Sequence, residues 1–119
     1  MRVPEQLVER ARALLLAAGE DGIPRWSFPA LFGDDRMARA AITEVRLRGW
    51  LPVVVTRRGE HTIYRVAQSD EEYRRYRASL ISRIRSLADV IDGLDRAWEG
   101  HAGRRVYQLR LWDEEVVDE

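Results

Sequence analysis

The stretch DDRMARAAITEVRLRGWLPVVVTRRGEHTIYRV, residues 34–66, decides the fold. Its first half has a helical period. Ala38, Ile42 and Val45 share one face, Asp34 or Asp35 stands where an N-cap belongs, and Gly49 supplies a stop. The second half is strand-like: Val53 to Thr56 and Thr62 to Val66 are β-branched runs joined through Arg57, Arg58, Gly59 and Glu60, which reads as a hairpin. Opposite the apolar face of the helix lie Arg36, Met37, Arg39, Ala40 and Thr43.

Toward the N-terminus, Pro4 sits at a first-turn position, and Val3, Leu7, Ala11, Leu14, Leu15 and Ala18 recur at helical spacing until Gly19. EDGIPRWS, residues 20–27, is turn-like, and Ser27 is placed to cap a short helix through Phe28, Ala30, Leu31 and Phe32 that Gly33 closes. Three helices and then a hairpin fill residues 1–68.

Toward the C-terminus, Ser69 or Asp70 caps a long helix with Glu71 and Glu72 in its first turn and no break before Gly100, so residues 69–100 form a second segment. Tyr73, Leu80, Ile84, Leu87, Ile91, Leu94 and Trp98 follow alternating steps of four and three, with Arg77 interrupting the seam. Ile at a and Leu at d positions is the pattern of a parallel two-stranded coiled coil, so this helix is read as the dimerisation element. Tyr76, Ile81, Ala88 and Val90 widen the stripe, which leaves room for packing on the chain's own domain as well. The fold class expected is mainly α with a small β-hairpin, followed by this long C-terminal helix.

Composition narrows the chemistry. One compact core fits 119 residues, and the absence of cysteine excludes disulfides, thiolate catalysis and cysteine-ligated metals. His61 and His101 have no partner at metal-binding spacing, so neither metal nor cofactor is expected. No apolar run is long enough to span a bilayer, and the N-terminal stretch reads as an amphipathic helix instead of a leader, so the expected location is cytoplasmic. The net charge is zero, yet residues 23–68 carry eight arginines against four carboxylates, while every other segment is slightly acidic. Distribution outweighs the sum when a nucleic-acid partner is weighed. All the basic residues are arginine, which a GC-rich genome alone explains but which also suits bidentate contacts to phosphate and guanine.

FPALFGDDRMARAAITEVRLRGWLPVVVTRRGEHTIYRVA, residues 28–67, resembles the winged helix-turn-helix family of short bacterial and phage regulators. The turn at Gly33-Asp34-Asp35 is shorter and more acidic than that resemblance implies. The resemblance implies a recognition helix in the major groove of double-stranded DNA and a basic wing on the backbone. Arg36, Met37, Arg39, Ala40 and Thr43 are then the base-facing candidates, Arg57, Arg58 and His61 the wing contacts, and Arg25 and Arg46 the phosphate contacts. Against this stands the plain reading that Arg36, Arg39 and Arg46 are a solvated helix face. Trp26, Trp50, Phe28 and Phe32 read as core or hinge packing before base stacking.

The remaining segment, residues 101–119, contains Gln108-Leu109-Arg110-Leu111-Trp112, which resembles the bacterial sliding-clamp-binding pentapeptide. That resemblance implies clamp docking through Gln108, Leu109, Leu111 and Trp112; an edge strand packed through Val106, Leu109 and Leu111 is the alternative. No catalytic constellation is legible: the acid pairs lie on helix surfaces and Ser79, Ser82 and Ser86 lack a nearby His. The sequence therefore predicts a homodimeric, non-enzymatic DNA-binding protein of transcription or DNA replication. A protein-interaction adaptor built on the same scaffold is the competing class.

Overall fold

The computed structural model describes residues 2–102. These form α1 (Glu5–Ala18), β1 (Ile23–Pro24), α2 (Phe28–Phe32), α3 (Asp35–Leu47), β2 (Val53–Arg58), β3 (His61–Val66) and α4 (Asp70–Ala102), with single 3₁₀ turns at Gly19–Asp21 and Arg25–Ser27. The described residues divide into two units, the first ending at Arg77 and the second beginning at Ala78. The architecture is mainly helical, with a small antiparallel sheet and a long C-terminal helix.

The sheet has three strands where the sequence showed two. β3 is central: β2 pairs with it from Val53↔Val66 to Arg58↔His61, and β1 pairs on its other edge through Ile23↔Tyr64 and Pro24↔Ile63. Pro24 is tolerated because its strand is an edge. Gly59 and Glu60 make a two-residue hairpin turn in which Gly59 takes φ 65°. Gly22 has the tightest backbone requirement: at φ 71°, a Cβ there would lie 2.6 Å from Ile63 Cγ2 and 2.7 Å from the Tyr64 carbonyl oxygen. Only glycine lets β1 approach β3 so closely.

The core of the first unit is built from both helical periodicities. Val8, Ala11 and Leu15 of α1 meet Ala38, Ala41, Ile42 and Val45 of α3, with Phe28 and Phe32 of α2, Ile23 of β1 and Val53 of β2 filling the end. The small residues Ala11, Ala38 and Ala41, all fully buried, set how close α1 and α3 come. Phe28 is fully buried and lies edge-on to Phe32 at 5.8 Å and tilted to Tyr64 at 5.2 Å. Aromatic pairs in such offset geometry contribute beyond their area.

Caps fix where the helices begin. The Asp34 carboxylate accepts from the Met37 N–H at 2.8 Å, so Asp34 caps α3 and Asp35 becomes its first residue. Ser27 precedes α2, but its hydroxyl donates to the Pro24 carbonyl at 2.7 Å and leaves the helix without a side-chain cap. At α4 the Ser69 hydroxyl accepts from the Glu72 N–H at 3.1 Å, while the Glu72 carboxylate accepts from the Gln68 N–H at 2.7 Å. This is a reciprocal capping arrangement displaced by one residue. The helix continues through Gly100 to Ala102 instead of stopping at the glycine.

Candidate nucleic-acid interface

α3 buries Ala38, Ala41, Ile42 and Val45 and turns the opposite side to solvent. Arg36, Arg39 and Thr43 are exposed there, with Ala40 and Met37 half-buried beside them. Helical spacing aligns Arg36, Ala40, Thr43 and Leu47 in one stripe, and Leu47 is 75% exposed. Leu47 was not among the sequence candidates; its place eleven residues after Arg36 was the signal. At the hairpin tip, Arg57, Arg58 and His61 are exposed.

Asp35 organises the beginning of α3. Its carboxylate accepts two parallel bonds from Arg25, both 3.0 Å, and a third from Arg39 Nε at 2.9 Å. The fork of Arg25 holds the Asp35 carboxyl below the ordinary carboxylate range, and Arg39 adds to the effect. The sequence placed Arg25 and Arg39 at a DNA surface; the structure brings them together on one acidic side chain. Arg36 and Arg57, by contrast, make no hydrogen bond or ion pair with the described residues and present their guanidinium groups to solvent. Arg58 leans back, donating to the Asp21 carbonyl at 3.4 Å.

Arg46 differs from its expected role as a phosphate contact. Its guanidinium donates to the Val53 carbonyl at 3.1 and 2.9 Å and to the Tyr76 hydroxyl at 2.7 Å, and it lies 5.4 Å from the Tyr76 ring centroid. All its described bonds are internal, tying α3 to the start of β2 and the first turns of α4. The reason is angular: Arg46 follows the buried Ile42 by four residues, on the side of α3 that faces the domain. Arg48 is a second internal clamp, forked onto Glu5 at 2.8 and 3.0 Å. That bond pulls the Glu5 carboxyl below its ordinary range. Arg48 and Arg12 also lie over the Trp50 ring, at 4.8 and 4.6 Å from its centroid.

The aromatics divide. Phe28 and Phe32 are core and Trp50 packs against it with two arginines over its ring, but Trp26, expected to pack, is 67% exposed next to the Arg25–Asp35 pair. On α4 the seam residues Ile84, Leu87 and Leu94 are each more than 60% exposed, Tyr73 and Trp98 are a little under half exposed, and Leu80 and Ile91 are more covered. Gln108, Leu109, Leu111 and Trp112 lie outside the described residues. Among the described residues no group of three or more His, Asp or Glu could hold a metal ion, and no helix is long and apolar enough to cross a membrane. Comparison of the chain with protein-family models, curated proteins and solved structures found no match.

Proposed function

We propose that residues 1–68 act as a winged helix that binds double-stranded DNA, with α3 in the major groove and the β2–β3 tip on the backbone. The observation that carries this reading is that the one positively charged third of the chain exposes basic side chains on two elements, Arg36 and Arg39 on α3 and Arg57, Arg58 and His61 at the hairpin tip. An exposed helix face with arginine, a small residue and threonine offers a guanine-reading fork and methyl groups for thymine. Three helices followed by a hairpin is an order compatible with this docking. Arg46 drops out of the proposed interface because its guanidinium group is committed to the domain itself. Self-association through the open apolar face of α4 completes the proposal.

Titration of a mapped duplex and of random duplex over a salt series tests it. Neutralising phosphates gives log K falling with log salt, and Arg57→Ala should reduce the steepness by about 0.9 for the phosphate it contacts. Arg39→Ala should cost specific binding about 1–3 kcal/mol and relax base preference, whereas Arg58→Ala weakens all sequences alike. Wild-type behaviour of all three variants would remove the DNA reading.

One observation favours the adaptor reading. Trp26 at 67% and Leu47 at 75% exposure are large apolar groups of the kind that anchor protein partners, and Asp35 occupies two of the arginines that DNA would need. An adaptor binds duplex weakly at any salt concentration, so the same titration separates the two.

A further inference from the structure

The charge along α4 is polarised to a degree that its apolar seam does not explain. Residues 73–87 contain Arg74, Arg75, Arg77, Arg83 and Arg85 and no acid; residues 88–99 contain Asp89, Asp92, Asp95 and Glu99 against the single Arg96. Arg74 pairs with Asp70 at 2.9 Å, but Arg75, Arg77, Arg83 and Arg85, like Asp89, Asp92 and Asp95, form no ion pair among the described residues. Past its acidic first turn, Asp70 to Glu72, α4 thus carries a basic stretch and then an acidic one with an apolar stripe between the charges, and these two stretches are complementary to a second copy only when it is reversed.

We infer that α4 pairs with a second copy of itself in antiparallel orientation, with Ile84 packing opposite the partner's Leu87. In that register the seam closes without remainder: Leu80 meets the partner's Ile91, Arg77 the partner's Leu94, and Tyr73 the partner's Trp98. Arg77, the one interruption of the stripe, then lays its stem on leucine with its guanidinium close to the partner's Asp95. Arg74 faces the partner's Asp95 across the flank of the seam, and two-fold symmetry makes the contact twice. A parallel pair does the reverse. It stacks Arg77 on its own copy inside the seam, sets the five arginines against five arginines, and offers no flanking ion pair, because Arg83 would meet Ala88 and Asp95 would meet Val90. The Ile and Leu positions alone suggested a parallel pair; the charges decide the other way. This orientation rests on the self-association proposed above and is independent of the DNA reading.

The chain has no cysteine, so Ala97→Cys, at an exposed position, carries a spin label at a single known site. In the antiparallel register the two labels are displaced by twenty-three residues along the pair, about 35 Å at helical rise. In a parallel pair the axial displacement vanishes and the labels stand roughly 15 Å apart across helices about 10 Å between axes. Pulsed electron resonance on the full chain, with light scattering alongside, reads the difference. A distance near the longer value supports the inference. The short value with a dimer overturns the orientation alone, and a monomer at tens of micromolar overturns the self-association with it. As an independent arm, Arg74→Glu and Asp95→Arg should each raise the dimer dissociation constant roughly tenfold, and the two together should return it to within about threefold of wild type. Additive loss in the double variant overturns the Arg74–Asp95 contact.

Discussion

Replacing Arg46 with alanine separates a structural arginine from a DNA-binding one. The guanidinium makes two bonds to one acceptor, the Val53 carbonyl, and a third to the Tyr76 hydroxyl, and it lies near the Tyr76 ring. Bonds from a charged donor are worth about 1.5–3 kcal/mol net, and the ring contact about 0.5–1 kcal/mol. Because the two Val53 bonds share an acceptor they count nearly as one, and with the Tyr76 bond and the ring contact they sum to about 3.5–7 kcal/mol, from which the rotamer entropy a freed arginine regains takes back about 2 kcal/mol, leaving an expected loss of about 1.5–5 kcal/mol. For a domain of this size each kcal/mol moves the melting temperature by roughly 4–8 °C, which gives a fall of roughly 6–40 °C. Circular dichroism melts measure it. Duplex affinity, taken well below both transitions, should stay at the wild-type value, while Arg36→Ala does the opposite, weakening binding and leaving the melt in place. An Arg46→Ala protein that melts within about 3 °C of wild type yet binds duplex poorly would refute the internal assignment.

Three further outcomes follow from individual contacts. Gly22→Ala places a methyl 2.6 Å from Ile63 Cγ2 at a backbone φ of 71°, so β1 must leave β3; hydrogen exchange should show the Ile63 and Tyr64 region losing protection. Phe28→Ala removes a fully buried ring from between Phe32 and Tyr64 and should cost about 3–5 kcal/mol in urea unfolding. Asp35 has its folded pKa below the ordinary 3.8, so its contribution to stability is present above that value and is lost as the pH falls through the depressed one. Melts from neutral to acid pH should therefore show a shallower acid limb in Asp35→Asn than in wild type.

The helices and the hairpin were readable because their signals are local. A four-residue apolar step, a capping aspartate and a glycine at a turn all act within one or two turns of chain, and α1, α3, β2 and β3 appear where those signals put them. β1 was not readable. Two residues carry no periodicity, one of them is proline, and the pairing partner lies some forty residues on; its only trace is Gly22, which the sequence offers as a generic breaker. The site was half legible for the same reason. Exposure of Arg36, Arg39 and Thr43 follows from the helical period, but Arg25–Asp35 and Arg48–Glu5 join residues ten and forty-three positions apart, and no local rule predicts them. Val8, fully buried though absent from the apolar spacing read in the sequence, marks a smaller failure: the buried face of α1 is rotated slightly from the one its leucines suggest.

Under the proposed DNA reading, Asp35 also sets how much of the basic surface a duplex can reach. In the free protein its carboxylate engages Arg25 and Arg39 together, placing one negative charge where a phosphate would otherwise approach. Substitution by alanine removes that charge and releases both guanidinium groups, so random-duplex affinity should rise several-fold and the salt dependence should steepen by roughly 0.9 for each new phosphate contact. Specific affinity need not follow. A guanidinium held in one orientation pays less ordering cost on reaching a base edge than a mobile one, so the same aspartate that screens Arg39 also aims it. The two effects have different signatures. Screening predicts tighter binding to every duplex after Asp35→Ala, and aiming predicts a smaller ratio of specific to random affinity. A fall in affinity for both duplexes, with the melt unchanged, would mean that the carboxylate supports the DNA-bound arrangement itself, and the free-state clamp would then be the docking geometry already formed.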